Sequence, residues 1–261
     1  MPAARAIFYL LTLAALGLTV RVIASEPVSG KVVAAFAVVY VTALLLGVLV
    51  LRLRVFVDAI VRGPRGAKGV VLTFDDGPDP VWTPRALDAL DAAGAKATFF
   101  VIGKKAEAHP EVVRDMLARG HTVGLHSYAH DRLFAMRGPR TWRRDLKKGV
   151  RVLKEITGER VHLFRPPIGH TVPHTPRVLR ELHLRVIGWD VGARDGVRAE
   201  PEAVAARVLA KARDGSIVLL HDAAERGDHD PAGVGALPSI LEGLKKRGLA
   251  VVPLGEWIQS T

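Results

Sequence analysis

The chain has 261 residues, enough for a sizeable core, and is 49% hydrophobic against 24% charged, which excludes a peptide, a bare linker or a disordered chain. It contains no cysteine, so disulfides, thiolate nucleophiles and Cys-ligated metals are excluded, and any metal ion must be held by His, Asp or Glu. Its net charge is +11, but basic residues are not interleaved with aromatics and only 6% of the chain is aromatic, so nucleic acid is not an expected partner.

The first predicted element is a helix over about residues 6–24. Fifteen uncharged residues from Ala6 to Val20 precede Arg21, so the segment spans a bilayer if Arg21 snorkels to the interface. It also reads as a secretory signal ending at Val22-Ile23-Ala24. The second element, 32–51, is twenty residues without a charge, and ~1.5 Å of rise per residue carries it across a ~30 Å hydrocarbon core. The expected setting is therefore the cytoplasmic membrane, with the lipid bilayer as a partner. Arg5 precedes the first segment and Arg52, Arg54, Arg62, Arg65 and Lys68 follow the second, whereas Arg21 and Lys31 lie between them. The positive-inside rule makes this a hairpin with both ends cytoplasmic; a catalytic domain outside requires that one of the two segments not span. The apolar stretch 55–62, flanked by Arg54 and Arg62, reads either as an interfacial segment or as core packing. Residues 1–62 are thus expected to form a membrane anchor and 63–261 the catalytic domain, after a linker at Gly63-Pro64-Arg65-Gly66.

Beyond the linker, short apolar runs alternate with amphipathic stretches. Strands are predicted at 69–75, 95–101, 121–126, 162–165, 184–190, 216–221 and 249–253, and helices at 84–93, 105–119, 140–157, 175–183, 201–213 and 236–247. Repeated β-α units build a parallel sheet, either open or closed into a barrel. Asp75-Asp76, His126, Arg165, Asp190 and His221 all fall at or just beyond the C-terminal ends of predicted strands, where such folds collect their active sites. His126 and His130, four apart in HSYAH, share one side of a helical turn; with a carboxylate from the Asp pair they make a two-His, one-carboxylate set suited to a divalent ion. The other Asp is free to take a proton, with Arg165 holding it ionised. His221 is placed to act as general acid, oriented by Asp195 or Asp190.

In order and separation, TFDDGPDP with Thr83-Pro84, HSYAH, FRPPIG, WDVGARDG and LLHD resemble the five motifs of the NodB-homology polysaccharide deacetylases, carbohydrate esterase family 4, over roughly residues 66–256. The resemblance implies a distorted (β/α)-barrel of about seven strands and metal-dependent removal of N- or O-acetyl groups from sugars. It implies Asp75 as general base, Asp76, His126 and His130 as ligands of one divalent ion (zinc, with cobalt, nickel or manganese as alternatives), and Arg165 as the residue holding Asp75. The peptide N–H near Ile168, within a substrate-contacting Pro167-Ile168-Gly169, would stabilise the oxyanion. His221 would protonate the leaving amine, tuned by Asp195, and Leu219 would line the acetyl methyl pocket. Ile168 stands where an aromatic residue is usual, and Gly196 where a tryptophan often follows the fourth-motif Asp; Trp189 either compensates as a substrate contact or belongs to the core. His170 and His174 read as substrate contacts or as surface loop residues. The expected function is a membrane-anchored, metal-dependent deacetylase acting on an N-acetylated glycan such as peptidoglycan or a chitin-like polysaccharide. The alternatives are a cytoplasmic-face deacetylase or deformylase of a lipid-linked amino sugar, and a non-catalytic carbohydrate-binding protein of the same fold.

Overall fold

The computed structural model describes residues 1–24, 28–224 and 230–258. Its centre is β1 (Val70–Asp75), every residue of which is buried. β1 pairs in parallel with β2 (Thr98–Val101) on one side and β7 (Ser216–His221) on the other. Outward from β2 come β3 (Thr122–Leu125), β4 (Leu163–Phe164) and β5 (Arg185–Val186), and β6 (Val191–Gly192) lies outside β7. The seven parallel strands curl into a half-barrel wrapped by helices, the expected architecture. Helices cover the outer face through Leu72, Phe74, Phe99 and Leu220, so the strands are apolar on both faces rather than alternating.

Strand existence follows the sequence reading except at two places. The run 184–190 is strand only at Arg185–Val186, and the segment 249–253 contributes a single bridge, Val70 to Val251, because Pro253 has no N–H to continue the ladder. The seventh strand is instead Val191–Gly192, too short and too glycine-rich for periodicity to reveal. Likewise, the helix expected over 105–119 is two, α4 (Gly103–Ala108) and α5 (Pro110–Ala118), since Pro110 excludes His109 from helical geometry. The remaining helices are α3 (Trp82–Ala92), α6 (Pro139–Thr157), α7 (Thr175–Glu181), α8 (Pro201–Lys211), α9 (Ala232–Lys246) and α10 (Gly255–Ile258).

Alternate residues of the strands point into the barrel. Val71, Phe100, Leu163, Ile187 and Ile217 fill its lower part, and Leu254 and Trp257 close the bottom. The sheet edges β5 and β6 are not paired with each other, and the seam is covered by the chain preceding β1. Ile60 donates to the Val186 carbonyl (2.9 Å) and accepts from Gly188 (2.8 Å), while Gly63 donates to Gly215 (2.9 Å). Val55, Phe56, Val57 and Ala59 are correspondingly buried. The stretch 55–62 is therefore packed into protein rather than laid on an interface, because an open seam would leave unpaired backbone groups that this segment satisfies.

Two described helices, α1 (Ala3–Ile23) and α2 (Gly30–Leu49), are long and apolar enough to cross a membrane, with mean hydropathies of 2.1 and 2.7. They pair as an antiparallel hairpin in which Phe8 stacks on Tyr40 (centroids 5.8 Å apart). The open end of the hairpin rests on the barrel: Arg5 pairs with Asp58 (2.8 Å), Phe8 packs edge-on against Phe56, and the Val48 carbonyl accepts from Thr171 (3.2 Å).

Candidate active site

The last two residues of the β1 run turn its inward face from packing to chemistry. Asp75 still lies in the strand, whereas Asp76 adopts a left-handed backbone (φ 73°), so the two carboxylates diverge. Asp75 Oδ1 accepts from Arg165 Nη1 at 2.7 Å, and both side chains are buried. Arg165, just past β4, is fully enclosed. Its guanidinium also donates to Thr73 Oγ1 (2.8 Å), Ile187 O (3.0 Å) and Gly188 O (3.0 Å), and lies over the Phe100 ring at 4.2 Å. Burial pushes the Asp75 pKa up, and the Arg165 charge and hydrogen bond oppose that rise. The arginine is what keeps a carboxylate at this depth available as a base.

Asp76 faces two histidines: its Oδ1 lies 3.5 Å from His126 Nε2 and 3.2 Å from His130 Nε2. Burial lowers the His126 pKa to about 3, so the ring is neutral. Its Nδ1 lies 2.8 Å from the Arg165 carbonyl, which places the ring proton there and leaves Nε2 as a lone-pair donor toward Asp76. The two rings approach through a bend rather than the helical turn expected from their spacing. Ser127 and His130 are both left-handed, Ser127 Oγ accepts from the His130 N–H (2.9 Å), and Asp145 from α6 accepts from Tyr128 and Ala129 (2.8 and 3.0 Å). The ligand atoms of Asp76, His126 and His130 lie within 4.8 Å of one another, and one carboxylate with two imidazoles is a donor set that fits a borderline divalent ion.

Beside Asp75, on the adjacent strand, His221 ends β7. Asp195 holds it twice, accepting from its ring Nδ1 (2.9 Å) and from its backbone N–H (2.8 Å). Burial alone would lower the His221 pKa; the hydrogen bond and charge of Asp195, with the charges of Asp76 and Asp75, outweigh it and raise the value to about 9. A protonated imidazole therefore faces the carboxylates at neutral pH. Asp190, the other residue considered for this orienting role, does not reach His221. It accepts from Ile217 N–H (2.8 Å) and pairs with Arg62 (3.2 Å), because the chain between β5 and β6 turns its side chain to the seam instead of the mouth.

These groups line a cavity of about 430 Å³, within the range of small-molecule sites. Leu219, Trp189, Gly169 and a 42% exposed Ile168 form its apolar wall. Pro167 is buried behind that wall and does not line the cavity, and neither do His170 and His174; the His174 ring packs edge-on against Trp142. Trp189 lines the cavity and also lies beneath the Arg165 guanidinium (5.5 Å). A Cβ at Gly196 would sit 3.0 Å from His221, so glycine keeps that histidine accessible. Five of the seven described non-glycine residues with left-handed backbone (Asp76, Ser127, His130, Ile168 and Arg194) belong to this site, strain of the kind that functional sites retain.

Several supporting residues escaped the sequence reading. Asp145 braces the His126–His130 bend, and Lys105 Nζ donates to the Asp76 carbonyl (2.8 Å). Thr83 donates to the buried Asp222 (2.5 Å), tying the first motif to the fifth. Arg132, Arg194 and Val197 line the mouth. The Thr83-Pro84 and LLHD motifs contained part of this signal; Lys105 and Asp145 sit in ordinary helical patterns and carried none.

A buried carboxylate held by an arginine, a donor set that could hold a metal ion and a protonated imidazole line one cavity, an arrangement suited to hydrolysis. The polysaccharide deacetylase family profile matches residues 62–187. The chain is 32% identical to a peptidoglycan-N-acetylglucosamine deacetylase of Bacillus cereus over 199 residues, covering 76% of this chain and 71% of that protein. It is 35% identical to a chitooligosaccharide deacetylase of Sinorhizobium fredii over 204 residues, covering 75% and 94%. A crystal structure of a peptidoglycan N-acetylglucosamine deacetylase bound to an N-hydroxybenzamide superimposes with a TM-score of 0.72 at 31% identity, over 77% of this chain and 92% of that one. The chain belongs to the polysaccharide deacetylase family, carbohydrate esterase family 4, and is an enzyme rather than a non-catalytic binding module.

Proposed function

We propose that this enzyme hydrolyses the N-acetyl group of N-acetylglucosamine units in a glycan, with Asp76, His126 and His130 holding one divalent ion, zinc being the best match to the donors. The observation that carries the reading is the pairing of that donor set with two differently tuned groups, Asp75 and His221, which are neighbours on adjacent strands and line the same cavity. When bound, the ion supplies Lewis-acid polarisation of the acyl carbonyl and lowers the pKa of water toward ~7. Asp75, kept ionised by Arg165, accepts the proton of the attacking water. A peptide N–H near Ile168 would stabilise the developing oxyanion, and Leu219, which lines the cavity, would bound the space for the acetyl methyl. His221, protonated and oriented by Asp195, delivers a proton to the amine as the C–N bond breaks.

α1 and α2 are read as a membrane hairpin that tethers the barrel. One observation favours a substrate carried at the cytoplasmic face, such as a lipid-linked N-acetylated amino sugar: both ends of the hairpin lie on the barrel side, where Arg5, Arg52, Arg54 and Arg62 also cluster.

The test is acetate release from N-acetylchitooligosaccharide and from peptidoglycan fragments before and after chelation. Activity lost to chelator and restored by zinc, with Asp76→Ala losing both the ion and the activity, is the expected result. Activity and metal content unchanged in Asp76→Ala would overturn the reading.

A further inference from the structure

Where α1 and the segment after α2 meet α7 and β5, a second cavity of about 680 Å³ opens. It shares no residue with the catalytic cavity. Its lining combines cationic and apolar side chains. Arg5, Arg177, Arg180 and Arg185 contribute four guanidinium groups against one lining carboxylate, Asp58, which is already paired with Arg5 at 2.8 Å. Arg180 makes no side-chain hydrogen bond or ion pair among the described residues, and Arg177 reaches Glu181 only at 3.4 Å, while Arg143 holds that same carboxylate in a two-pronged pair (2.6 and 3.0 Å). Tyr9, Phe56 and Leu179 add apolar lining.

The depth of the cavity is informative. Tyr9 lies four residues beyond Arg5 along α1, about 6 Å farther down the helix axis. With α1 spanning a bilayer, Arg5 stands at headgroup level and Tyr9 about one turn deeper, the usual ordering of Arg and Tyr at a membrane interface. Planar guanidinium forks match phosphate oxygens in pairs, and Arg180, with Arg177 only weakly held by Glu181, leaves cationic capacity in this concave site that favours an anion. The aromatic and aliphatic lining suits the glycerol and first methylenes behind such an anion.

We propose that this cavity binds the phosphate headgroup of an anionic phospholipid, seating the open end of the hairpin against the barrel and fixing how the barrel stands on the bilayer. The proposal rests on reading α1 and α2 as membrane spans. A lipid here would bridge α1 to α7, and α7 follows directly on the third-motif loop whose Thr171 already bonds α2.

The experiment uses the full chain purified from membranes and exchanged into nanodiscs of phosphatidylcholine alone or with phosphatidylglycerol of the same acyl chains. Native mass spectrometry counts retained lipid, and thermal unfolding is followed in parallel, also with inorganic phosphate as the only added anion. The wild-type chain is expected to retain phosphatidylglycerol over phosphatidylcholine by about tenfold or more, and the Arg177→Gln/Arg180→Gln variant to lose that preference while still deacetylating a soluble chitooligosaccharide at the wild-type rate. Equal phosphatidylglycerol retention by wild type and variant would overturn the site, and stabilisation by inorganic phosphate equal to that by the lipid would overturn the lipid as its ligand. Alkaline carbonate extraction reports on the anchor separately. A chain that resists extraction but shows no difference between wild type and variant refutes the lipid site alone, whereas a chain released by carbonate refutes the anchor and the lipid site with it.

Discussion

The upper and lower halves of the barrel interior are built from the same strands and obey opposite rules. Val71, Thr73 and Asp75 are successive inward positions of β1, and Ile217, Leu219 and His221 are those of β7. Each step of two residues advances ~7 Å, so two steps carry a strand from apolar packing to an ionised group. In the lower half burial alone stabilises. In the upper half charges are paired with one another, Asp75 with Arg165 and His221 with Asp195. Arg165 joins the regimes, since its flat face covers Phe100 below while its edge donates to Asp75 above. A buried ion pair adds little net stability, because desolvation offsets attraction, so the upper half is retained for its chemistry at a cost carried by the core beneath it.

Removing one member of the buried pair is the harshest way to break this contrast. Arg165→Ala leaves Asp75 enclosed and without its partner, and is expected to cost about 3–5 kcal/mol of stability together with most of the activity. Denaturant unfolding alongside acetate release measures both. A loss below about 1 kcal/mol would mean that Asp75 is protonated in the folded enzyme, as its raised pKa permits, and would remove it as the base.

A gentler change sharpens the contrast through pH. Because the His221 pKa is raised from 6.5 to about 9 in the folded chain, the stability it contributes is complete below about pH 6.5 and is lost as pH rises through 9. If His221 is the proton donor, as proposed, activity is expected to decline over the same alkaline limb. Asp195→Asn removes the charge that opposes burial, so the limb should move down by about one pH unit or more, read from kcat/KM against pH. An unmoved limb would assign the proton donor elsewhere.

How much of this was legible in the sequence depended on whether a residue's role was local. Asp75, Asp76, His126, Arg165 and His221 stood out because an apolar run ended on a polar side chain, a signal contained within a few residues. The β-α alternation likewise fixed a parallel sheet, and the resemblance of five ordered motifs supplied the barrel. Long-range pairing left no such trace. β6 is two residues whose strand character comes from β7 beside it, and residues 55–63 belong to the barrel wall because an open seam lies next to them. Lys105 and Asp145 brace the site from surface-patterned helices, where a Lys or an Asp is the unremarked default.

Asp190 is the residue for which the local signal pointed the wrong way, and it yields the smallest and most discriminating effect. It follows Trp189 in the same motif as Asp195 and ends a predicted strand, yet its carboxylate accepts from Ile217 N–H, lies 3.3 Å from Ser216 Oγ and pairs with Arg62 at the seam. Asn at this position keeps one carbonyl oxygen as an acceptor but loses the charge that strengthens these bonds, a cost of about 1–2 kcal/mol. Asp190→Asn should therefore lower the unfolding midpoint modestly while leaving kcat and the alkaline limb where the wild type has them, the reverse of Asp195→Asn. If both variants moved the limb alike, the two aspartates would share the tuning of His221, and the division between a supporting seam and a reactive mouth would fail at the one motif that contributes to both.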